Sequence, residues 1–116
     1  MNNGNGTKTV KLSALQRVGL ENVLGEQRGK REELRTFYDI RRKVRLTQEE
    51  KDLYMREVGG GQIAFNAAAA SKAPELEVTF SQVERLRLIK LGDSMDMPVG
   101  ILDWLEPLLI ELEEKA

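Results

Sequence analysis

Neither cysteine nor histidine occurs among the 116 residues of this chain. Disulfides, thiolate nucleophiles, Cys/His zinc sites, imidazole acid–base chemistry and the usual pH switch are excluded together. The lack of cysteine fits a reducing compartment. Aromatics are scarce, three Phe, two Tyr and Trp104, so the core must be built from Leu, Val, Ile and Ala. No apolar run approaches the ~18 residues that a membrane-spanning helix needs. The start, MNNGNGTKT, has no apolar centre for a secretory signal and reads as a polar, mobile tail over residues 1–9.

What is present suits one folded domain over residues 10–116. An apolar share of 41% beside 32% charged residues is ordinary for a soluble globular protein and far from the composition of a disordered chain. A chain of this size buries roughly 65–70% of its unfolded surface, so it needs no metal or disulfide to hold it.

Three capping boxes punctuate the chain. In Ser13-x-x-Gln16, Thr47-x-x-Glu50 and Ser81-x-x-Glu84 the hydroxyl accepts from the third amide while the longer side chain returns to the cap amide. They predict helices over 14–24, from 48 to the glycines at 59–61, and from 82 to a stop at Gly92. Gly25 stands where a left-handed C-terminal residue is wanted, and Gly19 weakens the first helix by ~1 kcal/mol. A further helix is expected over 30–45, with Leu34, Phe37, Tyr38 and Val44 on its apolar face. The last begins near Asp96 or Met97, carries the stripe Ile101, Leu102, Leu105, Leu108, Leu109 and Leu112, and should kink or restart at Pro107.

Strand patterning is confined to Ile63/Phe65 and to Leu76/Val78/Phe80, joined by Asn66–Pro74, whose alanines suit a helical turn. The expectation is therefore an α+β fold, mostly helical: about five helices carrying one two-stranded antiparallel β-hairpin made of those two segments. Gly59-Gly60-Gly61 read as a flexible joint. They follow a helix and precede a strand, the reverse of a phosphate loop.

Charge is segregated although the total is only −1. Residues 28–45 carry eight basic and three acidic side chains, a net of +5; residues 93–116 carry seven acidic and one basic, a net of −6. Arg41, Arg42, Lys43 and Arg45 are the candidate partner-binding cations, joined by Arg31 and Arg35 only where a phosphate-backbone patch is considered. A phosphate-backbone patch is one reading of them, and a solvated helix face is the plainer one, favoured by a pI of 5.6. Neighbours on a helix are about 100° apart, so Arg41 and Arg45 share a side while Arg42 and Lys43 turn away, unlike a helix that reads a duplex. Trp104, Leu105 and Leu108 are candidates for a docking stripe, although core is the commoner fate of such residues. The Glu49/Glu50 and Glu113/Glu114 pairs sit on exposed or frayed turns, where desolvation perturbs carboxylates little, so no catalytic residue, cofactor or metal site is assigned.

The capped helix KLSALQRVGLENVL, the LTQEE helix start, the GGGQIAFN segment, the LEVTF strand and the closing leucine-rich helix together resemble small proteins of tailed bacteriophages and prophages. The chain departs from that pattern at MDMPVGILDW. The resemblance implies an accessory or assembly protein of the host cytoplasm or virion, and no active site. The expected function is a non-enzymatic protein-interaction module with a protein partner or self-association and no membrane or small-molecule ligand. The alternative is a small nucleic-acid-binding regulator using residues 30–45.

Overall fold

The computed structural model describes residues 6–114. Its first element is a strand, β1 (Lys8–Leu12), followed by α1 (Ala14–Gly25), α2 (Arg31–Val44) and α3 (Gln48–Tyr54). A short hairpin, β2 (Met55–Glu57) and β3 (Ile63–Phe65), comes next, then α4 (Ala67–Ala70), β4 (Leu76–Phe80) and α5 (Gln82–Ser94). A 3₁₀ turn over Val99–Ile101 leads into α6 (Leu102–Glu113). The fold is α+β: six α-helices and two two-stranded antiparallel sheets among the described residues.

All three capping boxes form, with both reciprocal hydrogen bonds present at Ser13, Thr47 and Ser81. Asn66 caps the alanine turn α4 through the amide of Ala69. The boxes therefore set the helix starts, and the asparagine explains why four alanines coil rather than extend.

The strand pairing differs from the expected hairpin. β4 pairs with β1, Val10 facing Val78 and Leu12 facing Leu76, and β3 pairs with β2, Met55 facing Phe65. The expected tail therefore ends before Lys8; its residues 1–5 lie outside the described residues. In TKTVKL the apolar positions Val10 and Leu12 alternate with Thr9 and Lys11, a period of two that fits a half-buried strand. The alternation is buried as written, Val10, Leu12, Val78 and Phe80 facing inward. On the outer face Thr9 bonds Thr79 at 2.6 Å, and Lys11 stands opposite Glu77.

Gly59, Gly60 and Gly61 form a defined hairpin turn rather than a loose joint. All three have positive φ (107°, 60° and 76°), and two backbone bonds close the turn, the Val58 amide donating to the Gln62 carbonyl and the Gln62 amide to the Gly59 carbonyl. A backbone in that region strains any side chain, so three glycines are required there. The turn shortens α3, which ends at Tyr54.

Helices α1 and α5 each pack against both α2 and α6, so α2 and α6 occupy opposite corners of a four-helix arrangement laid on the β1–β4 sheet. Phe80, Leu12, Leu20, Ile40, Val44 and Leu112 are fully buried at its centre. Burying a side chain such as Phe80 contributes about 2–3 kcal/mol. A second cluster, Ala14, Leu46, Tyr54 and Ala70 with Phe65 against it, anchors α4 and the β2–β3 arm to α1.

Gly19, expected only to weaken α1, and Gly92, expected to end its helix, instead let helices approach. A Cβ on Gly19 would lie 2.5 Å from the Trp104 ring, and one on Gly92 would meet Leu109. Gly92 lies inside α5, and Gly25, without positive φ, closes α1 against the Arg41 guanidinium. Pro107 lies within α6 without breaking it. Pro107 and Asp103 are both exposed, so the carbonyl that the proline leaves without an amide partner is open to water. Among the described residues no helix is long and apolar enough to cross a membrane.

Candidate functional site

The candidate cations of α2 are not equivalent. The helix buries Ile40 and Val44, with Phe37 against the core, and that orientation decides where each neighbouring cation goes. Arg41 is half-buried, 3.7 Å from Glu21, and its Nε is buried without a hydrogen-bond partner. Lys43 donates to Glu84 at 2.5 Å and to the Thr79 carbonyl at 2.9 Å. Arg45, just past the helix, donates from Nε to Glu21 at 2.8 Å. Three of the four clustered cations are thus tied into the molecule, and Arg42 alone of them is left facing outward.

Arg42 belongs to a different set. At positions i, i+4, i+7 and i+11, Arg31, Arg35, Tyr38 and Arg42 fall within about 60° of one another on a helix, opposite Ile40. All four are exposed. The Arg42 guanidinium stands 5.9 Å from the Tyr38 ring centroid, within cation–π range. Tyr38, expected on the apolar face, is 53% exposed and stands in the middle of this stripe. The helical spacing of the arginines sets this stripe, whereas the contiguous run Arg41-Arg42-Lys43 mixes cations paired with Glu21 or Glu84 and the outward Arg42.

Trp104, Leu105 and Leu108 do not form a docking stripe. Leu105 and Leu108 are core residues, and Trp104 is half-buried against Gly19, its carbonyl accepting from the Gln16 side chain at 3.1 Å. The outward face of α6 carries other residues: Asp103, Glu106, Ile110 and Glu113, all exposed.

Sequence reasoning missed Arg17. Its side chain is 4% exposed, and its guanidinium donates to both oxygens of Glu50 at 2.7 and 2.9 Å. It also donates to the Val44 and Arg45 carbonyls, both at 3.0 Å, so it caps the end of α2 as well. Those hydrogen bonds hold the Glu50 carboxyl down at about 2, against an ordinary 4.5. Burial pushes this carboxylate the other way, and the charge-assisted hydrogen bonding from Arg17 outweighs it. An arginine four residues into a capped helix carries no sequence signal of burial.

The β2–β3 arm is exposed on both faces, with Val58 at 57% and Ile63 at 66%. Between the arm and α3 lies an open cleft of about 520 Å³, lined by Lys51, Asp52, Met55 and Ile63 among others.

Comparison of the chain with models of protein families, with characterised proteins and with solved structures finds no match in any of the three.

Proposed function

We propose that the chain is a non-enzymatic protein-interaction and assembly module, of the accessory kind encoded by tailed phages and prophages, which docks an acidic protein surface on the outward face of α2. One observation carries this reading. The molecule ties Arg41, Lys43 and Arg45 to two of its own carboxylates, Glu21 and Glu84, while leaving Arg31, Arg35 and Arg42 exposed around Tyr38. Arginine and tyrosine are the side chains enriched where protein interfaces concentrate binding energy. Interleaved on one face, they offer forked donors for carboxylates and an aromatic body to be covered.

A nucleic-acid regulator is the second reading, favoured by Arg28 and Lys30 just ahead of the same helix. Against it, Asp39 and Glu32 flank the stripe. Three helix cations spread over ~16 Å also neutralise fewer phosphates than the 6–10 of a typical DNA-binding protein.

Fluorescence anisotropy with two labelled probes separates them: an acidic helical peptide and a short mixed-sequence DNA duplex. The expected result is peptide binding weakened by Arg35→Gln/Arg42→Gln, with no duplex binding at physiological ionic strength. Duplex binding lost in that variant, with no peptide binding, overturns the interaction reading in favour of the regulator.

A further inference from the structure

Resting on the interaction reading, we propose that the partner of the α2 face is the α6 face of a second copy of this chain, packed parallel to it. Aligned from their N-terminal ends, the two outward stripes match in order. Arg31, Arg35, Tyr38 and Arg42 lie at relative positions 0, 4, 7 and 11; Asp103, Glu106, Ile110 and Glu113 lie at 0, 3, 7 and 10. At ~1.5 Å per residue the stripes span about 16 and 15 Å. Three arginines therefore face three carboxylates, and the one aromatic faces the one aliphatic. Reversing one helix sets Arg35 against Ile110 and Tyr38 against Glu106, so the complementarity specifies direction.

Within one copy the two faces cannot meet, because α2 and α6 stand at opposite corners, separated by α1 and α5. The contact is therefore heterologous. Each added copy presents a fresh α2 face at one side and a fresh α6 face at the other, so the assembly closes into a ring or runs on as a filament rather than stopping at a twofold dimer. A contact confined to one helix face per partner belongs with weak interfaces, below about 1,200 Å², so assembly depends on concentration and ionic strength.

Sedimentation velocity on the full chain tests this. The weight-average mass should rise with concentration in about 0.01 M salt and fall to the monomer near 1 M, where the Debye length shrinks from ~30 to ~3 Å. Arg35→Gln/Arg42→Gln removes the basic face and Glu106→Gln/Glu113→Gln the acidic one. Each variant alone should lose about tenfold in association constant. Mixed in equal amounts, they retain one complementary pair of faces between them and should stop at a one-to-one dimer. Arg42→Glu combined with Glu113→Arg in one chain should restore self-association, reporting on the pairing of those two positions.

A wild-type chain that stays monomeric at low salt and high concentration overturns the proposal, as does a mixture of the two variants that stays monomeric. If the acidic helical peptide still binds α2 in that case, the interaction reading stands and only the identity of the partner falls. Duplex binding without self-association removes both.

Discussion

Arg17 and Glu50 hold each other through two parallel hydrogen bonds, 2.7 and 2.9 Å, that join the first turn of α1 to the first turn of α3. The same guanidinium spends its remaining donors on the last carbonyls of α2, so one side chain fixes three helices. Arg85 repeats the device at the other corner, donating to the Leu112 carbonyl at 2.6 Å and the Glu114 carbonyl at 3.2 Å, where α6 ends. Both helices with outward candidate faces are thus closed by an arginine from a neighbouring helix and not by a glycine.

Arg17→Met should destabilise the chain by about 3 kcal/mol, because it strips a carboxylate and two helix-terminal carbonyls of their donor. Urea melts measure it. A loss under about 0.5 kcal/mol would mean that water replaces the guanidinium without cost.

The pH dependence follows from Glu50. Its folded value, about 2, lies below the ordinary 4.5, so its contribution is full above 4.5 and is lost as pH falls toward 2. The side chain is 28% exposed, and solvent screening reduces that contribution to about 1–2 kcal/mol. The stability gap between wild type and Glu50→Gln should therefore shrink by about 1 kcal/mol between pH 6 and pH 3. A gap that stays constant across that range would remove Glu50 as its source.

Leu12→Ala should cost about 2–4 kcal/mol, since the side chain is 1% exposed and its removal leaves a cavity against the sheet. A substitution silent in thermal unfolding would mean that β1 does not pack on the core.

At Gly19 two effects oppose each other. Alanine gains ~1 kcal/mol of helix propensity, but its methyl would stand 2.5 Å from the rigid Trp104 ring, and such overpacking costs typically 1–3 kcal/mol. Net destabilisation with a shifted Trp104 fluorescence maximum is the expected outcome. A Gly19→Ala chain that gains stability with unchanged emission would show that α1 and α6 separate easily.

Ser81→Ala should cost ~1 kcal/mol by uncapping α5. Glu84→Ala should cost more, because the carboxylate that completes the box also receives Lys43. Equal losses in urea melts would mean that the Lys43 contact contributes nothing.

The starts of α1, α3 and α5 were legible because a capping box is local, four residues containing both donors and both acceptors, whereas α6, with no side-chain cap, begins at Leu102 and not near the expected Asp96 or Met97. The second duty of each box was not legible. Gln16 reaches the Trp104 carbonyl, Glu50 receives Arg17 and Glu84 receives Lys43, partners 88, 33 and 41 positions away. The alternation of Leu76, Val78 and Phe80 announces a strand, but nothing local identifies its neighbour, which is Lys8–Leu12 and not the nearer Ile63–Phe65. In α2 the density of cations at 41–45 outweighed the wider spacing of Arg31, Arg35 and Arg42, although burial of Ile40 and Val44 is what turns the second set outward.

The pairing of Thr9 with Thr79 across 70 positions bears on how the chain is made. Closing so long a loop costs about 2 kcal/mol more conformational entropy than closing a five-residue hairpin, so β1 is expected to join late in folding. During synthesis at ~5–20 residues per second, β1 leaves the ribosome seconds before the strand that will cover it exists. For that interval Val10 and Leu12 sit on an uncovered strand in a crowded cell, and Lys8 and Lys11, one on each face of it, are the kind of charges that keep such a strand from pairing with the wrong chain.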